Sequence, residues 1–242
     1  MDTSFYSASR GMRTMQKKID VISNNVSNVN TNGYKRKASK FRDLMYYNIR
    51  GTEGGPQNPQ AGTGNRIVKT DTDVSPSDVF PTNSPFDFAI CGEYGFFKVQ
   101  HPVTGKIEYT RNGHLSVSMK DDRMFLVTDD GRYLLNENGN PIMAVKDEKT
   151  GNNLPNSLPA VFEFNNTDGI ISTGNNCFVP TERNGQPHMV DKPKVLAGYL
   201  ESSNVDIGEE MVQMVETSRA YSYVLKMVLA SDEVEQTINN LR

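Results

Sequence analysis

Two apolar stripes, one at each end of the 242-residue chain, do most to limit what it can fold into. Near the start, Phe5, Ala8, Met12, Met15, Ile19, Ile22, Val26 and Val29 follow one another at alternating spacings of three and four residues. A 3.5-residue period held for more than three heptads predicts a helix whose apolar stripe is a coiled-coil seam, narrower than the face of an ordinary core-packed helix. At 1.5 Å per residue the seam runs roughly 36 Å. Arg10, Arg13, Lys17, Lys18 and Asp20 occupy the other faces, so such a helix needs a partner.

The same spacing returns at the far end in Ile207, Met211, Met214, Ser218, Tyr221, Leu225 and Val228. A second row of Val224, Met227, Ser231, Val234, Ile238 and Leu241 then takes over, so the stripe drifts around the helix and can meet more than one neighbour. Ser203, Asn204 and Asp206 are candidate N-caps, and Glu209 and Glu210 suit a first turn. The two ends also differ in charge. Residues 1–50 hold ten Lys and Arg against three acids, whereas residues 201–242 hold three against eight. The ends are electrically complementary although the chain as a whole carries only -3.

Five Asn between Ser23 and Gly33 dilute helix propensity, and Gly33 can supply a left-handed terminus. This stretch reads either as a frayed helix end or as an amide surface that bonds neighbouring subunits. A basic run follows, Lys35-Arg36-Lys37 with Lys40 and Arg42, and Phe41, Leu44, Met45 and Tyr47 suggest a short amphipathic piece. Residues 51–64 contain five Gly and two Pro, a composition in which no regular element is expected. From about residue 85 the period switches to two, beginning with Phe86, Phe88 and Ile90. Short β-like runs then alternate with Asn112-Gly113, Asp130-Gly131, Asn138-Gly139, Asp168-Gly169 and Asn184-Gly185, dipeptides that suit hairpin turns. A meander of many short antiparallel strands is predicted, left through a strand at Lys194–Leu200.

Little in the sequence points to catalysis. His101, His114 and His188 are isolated, so no metal site is expected. Cys91 and Cys177 lack CxxC spacing and read as two buried thiols rather than a disulfide. Asp87, Glu93, Glu108 and Asp129 supply carboxylates, but no pair is marked out as a glycosidase couple. The basic run lacks interleaved aromatic platforms, which disfavours a nucleic-acid groove. No stretch approaches a membrane span, and the first twenty residues lack the apolar core of a cleaved signal peptide.

Read in order, several of these segments resemble signatures of the bacterial flagellar axial family, the basal-body rod and hook proteins. Ser23-Asn24-Asn25-Val26-Ser27-Asn28-Val29-Asn30-Thr31-Asn32-Gly33-Tyr34-Lys35 is similar to the family's N-terminal motif. Ser84-Pro85-Phe86-Asp87-Phe88-Ala89-Ile90, Gly95-Phe96-Phe97 and Tyr109-Thr110-Arg111-Asn112-Gly113 are similar to its central motifs. Gly198 to Val205 and Arg219-Ala220-Tyr221 resemble its C-terminal one. Ser218 stands where Gln is usual, Val224 replaces a common Asn, and Glu93-Tyr94 lengthens one turn. The chain is too short for the large outer domain of hook proteins, which favours the rod. Phe41 to Arg50 followed by a Gly-rich arm is similar to distal-rod members, with the proximal-rod paralogue second.

The resemblance implies an α+β protein in which the terminal helices form a coiled coil and a central all-β domain stands outside it. The expected divisions are 1–50, an arm at 51–84, a β domain at 85–202 and a C-terminal helix at 203–242. It implies no enzyme activity and no cofactor, but a structural subunit of a hollow, torque-transmitting rod in the flagellar basal body. Such a subunit is exported without a cleaved signal through the flagellar type III apparatus and polymerises with itself and other rod and hook proteins. The residues expected at the assembly interface are Met12, Met15, Ile19, Ile22, Asn24, Asn25, Asn28, Met211, Met214, Arg219, Tyr221 and Leu225. A secreted binding module or adhesin on a coiled-coil stalk is the alternative.

Overall fold

In the computed structural model, which describes residues 3–44, 46–48, 60–92, 94–146 and 153–241, the chain is α+β and divides into two units. One comprises Met1–Ser27, Lys37–Asp71 and Asp206–Arg242, and the other Asn28–Arg36 and Thr72–Val205.

The first unit is built on helices α1 (Thr3–Ser27) and α2 (Ile207–Asn240). Asp206 starts α2 by accepting hydrogen bonds from the Gly208 and Glu209 amides at 2.8 and 3.2 Å, while Glu209 and Glu210 oppose the N-terminal dipole. The helices pack against each other where Gly11 leaves room, since a Cβ there would lie 3.7 Å from Val224 Cγ1. A two-stranded ribbon of Lys37–Asp43 and Asn65–Thr72 belongs to the same unit. Asn25, 1% exposed, fixes α1 to it by using both ends of its amide on the Lys37 backbone, each at 2.9 Å. Thr14 Oγ1 reaches the Asn65 carbonyl at 3.2 Å. The Gly- and Pro-rich stretch is less irregular than its composition suggests. Gln60–Gly62 pairs antiparallel with Tyr46–Asn48, while residues 51–59 lie outside the described part. A strand needs only backbone partners, and the preceding strand supplies them.

The second unit is a nine-stranded antiparallel sheet with short satellite ribbons. Its central strand, Phe96–Gln100, pairs along its length with Ile107–Thr110 and on its other edge with Val161–Glu163 and Tyr133–Leu134. Phe96 and Phe97 point to opposite faces because side chains alternate along a strand. Phe97 joins an aliphatic core with Phe88, Val99, Leu126, Leu134 and Ile142. Phe96 joins an aromatic cluster in which Tyr109 and Phe164 rings meet edge to face at 5.0 Å. Both faces of the sheet are therefore covered, and strict alternation also fails in the satellite ribbon at Phe88-Ala89-Ile90, which pairs with Val195–Ala197 and buries all three residues.

The turns correct part of the sequence reading. Asp130-Gly131 and Asn138-Gly139 do place Gly at positive φ, 78° and 76°. Two tight hairpins form without Gly, at Asp121-Asp122 and Asn175-Asn176, where all four residues are left-handed. Asp and Asn tolerate that region because their side chains bond locally. Gly113, by contrast, is not in a hairpin turn. A Cβ there would sit 1.6 Å from the Phe88 carbonyl oxygen, so the residue is Gly for closeness of approach. Both cysteines are free thiols. Cys177 is buried, and burial pushes its thiol up to about 11, while Cys91 is only half-buried rather than fully enclosed.

Candidate assembly interface

Both helices cover one face and leave an apolar flank open. On α2 the covered residues include Glu210, Met214, Thr217, Tyr221, Val224, Val228 and Ser231, again spaced by four and three, with Gln213 and Ala220 beside them. This seam shares Met214, Tyr221 and Val228 with the apolar stripe but replaces its other members with residues one position earlier. Met211 is 54% and Leu225 39% exposed, and Ser218 and Arg219 are exposed too. Val215 and Leu229 extend the same open flank, so a row of apolar side chains runs beside the covered one.

Helix α1 behaves similarly. Ile22 is buried, but Met12, Met15 and Ile19 remain half-exposed, while the polar Thr14 and Asn25 are buried deepest beside it. Asn24 is exposed. Asn28 is half-buried, and its side-chain oxygen accepts from Thr31 Oγ1 at 3.2 Å. Of the three expected amides, Asn25 thus spends both ends of its side chain on its own chain, and Asn28 bonds within the chain as well. Heptad counting finds apolar positions; it could not rank Thr14, Thr217 or Glu210 as the covered ones, because a polar side chain is covered only where the fold lays a neighbour over it.

In the β unit the motifs converge on a buried ionic cluster that sequence patterning did not single out. Glu201 takes Lys35 Nζ on one carboxylate oxygen at 2.7 Å and Arg111 Nε on the other at 2.6 Å, with all three residues at most 2% exposed. Lys35 also donates to the Ser75 carbonyl at 2.6 Å, and Arg111 donates to the carbonyls of Gly95 and Gly92 at 2.5 and 2.9 Å. The Ser77 amide adds a 3.0 Å bond to Glu201. Every charge is bonded, as buried charges must be. Burial holds the Lys35 ammonium below its usual range, opposed by Glu201 and reinforced by Arg111. The same point is sterically tight. Gly33, at φ 64°, donates its amide to the Glu201 carbonyl, and a Cβ on it would meet the Arg111 carbonyl at 2.5 Å. Asn204 completes the join by accepting from the Arg36 amide at 2.7 Å and donating to the Asp73 carbonyl at 3.0 Å. The N-terminal motif supplies Gly33 and Lys35, the central one Arg111 and the C-terminal one Glu201 and Asn204.

Two of the carboxylates that could have served an enzyme are engaged elsewhere, and a third, Asp129, is exposed. Asp87 is buried against His114 Nδ1 at 3.1 Å, and Glu108 pairs with Arg132 Nε at 2.7 Å. Glu93 lies outside the described residues. Among the described residues no group of three or more His, Cys, Asp or Glu is placed to hold a metal, and no helix is long and apolar enough to cross a membrane.

Comparison with known proteins gives this geometry its context. Residues 5–35 match the family model of flagella basal body rod proteins. Residues 89–173 match the D1 domain of the flagellar hook protein FlgE/F/G family, and residues 196–241 match the C-terminal model of the flagellar basal body rod FlgEFG proteins. The chain is 35% identical to the flagellar basal-body rod protein FlgG of Buchnera aphidicola subsp. Schizaphis graminum, with all of both chains covered. It is 31% identical to the Bacillus subtilis protein of that name, over 99% of this chain and 98% of the other. It is 28% identical to the flagellar hook-basal body complex protein FlhP of Bacillus subtilis, over 99% of each. The matched regions contain both helices and the three motifs that meet at Glu201. The chain belongs to the flagellar basal-body rod family, and it is a structural subunit of that rod, not an enzyme.

Proposed function

We propose that this subunit polymerises through its terminal helices into a hollow shaft, which passes torque from the motor to the hook and later subunits through its lumen. The observation that carries this reading is the open apolar flank of α2, Met211, Val215, Leu225 and Leu229, lying beside a seam already used within the chain. A helix that has covered one face and still presents a second apolar row fits a tube in which each helix touches several neighbours. In that tube α1 and α2 form a coiled coil, with Met12, Met15, Ile19 and Ile22 packed against Met211, Met214, Tyr221 and Leu225. Asn24, Asn28 and Arg219 lie at the same contacts. Methionine suits such non-identical neighbours, since its thioether chain repacks easily.

Assembly also completes folding. Helices that bury little apolar surface are marginal in water, so the ends order fully only when the growing tip supplies partners. A chain kept loose in this way stays competent for the flagellar type III export apparatus and reaches the extracytoplasmic rod without a cleaved signal. The segment from Phe41 to Arg50 and the Gly-rich arm after it favour the distal part of the rod.

Purified chain should be monomeric at low concentration and form open filaments above a threshold, by light scattering and negative-stain microscopy. Replacing both Met211 and Leu225 with Asp should abolish filaments and leave the β unit folded. A discrete dimer or trimer at every concentration would instead mean a stalked module, and would overturn the proposal.

A further inference from the structure

We infer that the turn at Asn138-Gly139 is a site of spontaneous modification, where the Asn138 side chain loses its amide and the residue becomes aspartate or isoaspartate. This holds however the chain assembles. Asn is among the thermally labile residues, and an Asn followed by Gly can close on itself because glycine carries no Cβ to block the approach. The Gly backbone nitrogen gives its proton to solvent and attacks the Asn Cγ. That bond forms as the Cγ–Nδ2 bond breaks, ammonia leaves, and a cyclic imide remains. Water then opens the imide. Attack at Cγ gives aspartate, and attack at the main-chain carbonyl gives isoaspartate, with the chain running on through the former side chain.

The sequence contains four Asn-Gly pairs, beginning at Asn32, Asn112, Asn138 and Asn184. The fold separates them. At Asn32 the attacking nitrogen is engaged, because the buried Gly33 amide donates to the Glu201 carbonyl at 2.8 Å. At Asn112 the side-chain oxygen accepts from the His114 amide at 3.0 Å, and Gly113 is wedged against the Phe88 carbonyl, which leaves no room for the ring. Asn184 is buried. Its oxygen accepts from the Thr181 amide at 2.7 Å, and its nitrogen donates to the Asn166 and Asp168 carbonyls at 2.7 and 3.1 Å, which fixes the amide and keeps water away. Asn138 has none of these restraints. Residues 137–140 are exposed, and a Cβ on Gly139 would meet nothing within 4 Å. Among the described residues no hydrogen bond holds the Asn138 side-chain amide, and its backbone amide donates to Asn136 Oδ1 at 3.0 Å. The Gly139 amide does donate to the Asn136 carbonyl at 2.9 Å, but a hydrogen bond in an exposed turn opens locally without unfolding the sheet. The change reaches the core, since the turn joins Leu135 to Pro141 across an antiparallel bridge and both Leu135 and Ile142 are buried. Either product adds a negative charge beside Glu137, and isoaspartate also lengthens the backbone by one carbon. Because the ammonia is lost to solvent, the converted fraction records how long a folded chain has stood.

The test incubates folded full-length chain in mildly alkaline buffer and follows the four sites by peptide mass spectrometry, with isoaspartate scored by enzymatic methylation. Asn138 should convert at least about tenfold faster than Asn32, Asn112 or Asn184, a gap set by the cost of opening the protected sites. In urea the four rates should come together. Asn136→Ala removes the side chain that accepts both the Asn138 and the Asn140 amides, and should speed conversion at Asn138 alone. Conversion at Asn138 no faster in the folded chain than at the other three sites would overturn the inference. So would a rate at Asn138 that Asn136→Ala leaves unchanged.

Discussion

The two units treat their unusual residues in opposite ways. The β unit buries a cluster of three charges and satisfies each of them within the chain, so Lys35, Glu201 and Arg111 are finished without a partner. The helical unit does the reverse, satisfying its polar Asn25 and Thr14 internally and leaving Met211, Val215, Leu225 and Leu229 to water. Buried charge cannot wait for a later partner, because an unpaired charge in the interior costs several kcal/mol. Exposed apolar side chains can wait, since each costs little until a large patch gathers. Stability is therefore concentrated where the chain is complete, and the proposed assembly falls to the part that is not.

The contrast can be broken by experiment. The largest effect should come from Gly113→Ala, because the added Cβ has nowhere to go beside the Phe88 carbonyl. A loss on the order of 4 kcal/mol, a value reached only by severe backbone or core faults, is expected in urea unfolding followed by circular dichroism. Next, Glu201→Gln would strand two cations and should cost about 3–5 kcal/mol. Lys35→Met leaves the neutral Arg111–Glu201 pair and should cost clearly less. Equal losses from the two would disprove the view that the cluster carries one cation too many.

The same residue gives a pH test. Between its depressed folded value and 10.5 the unfolded chain holds the Lys35 proton more tightly than the folded one, so this residue makes stability rise with pH there. Wild type should gain stability relative to Lys35→Met as pH climbs through that window, and a relative loss would reverse the account.

On the other side of the comparison, Met211→Asp should change monomer stability by no more than about 0.5 kcal/mol, as exposed substitutions usually do. Its effect should appear in filament formation alone. A similarly small change is expected from Asp71→Asn in the ribbon, where Lys40 and Lys69 hold the carboxylate at 2.5 and 2.7 Å. Those two hydrogen bonds lower the Asp71 value despite the opposing effect of burial. Its contribution, about 0.2–1 kcal/mol for a carboxylate held by two solvent-exposed lysines, is present above pH 3.8 and disappears as pH falls through the lower folded value. Salt should weaken it further.

Much was legible before any coordinates. The heptad spacing and charge bias marked the terminal helices, the period-two runs marked a meander, and the motif order pointed to the family. These are local signals, carried by side chains a few residues apart. What stayed hidden depends on distant residues. Nothing near Lys35 announces Glu201, which lies 166 positions away, and Gly113 reads as a turn residue until Phe88 is laid against it. On the terminal helices the sequence determined period, length and the apolar rows. Tertiary structure alone decided which row is covered. A helix with two adjacent apolar rows can face its partner with either, and the choice rests on Gly11 admitting Val224 and on the polar Asn25 and Thr14 finding backbone partners.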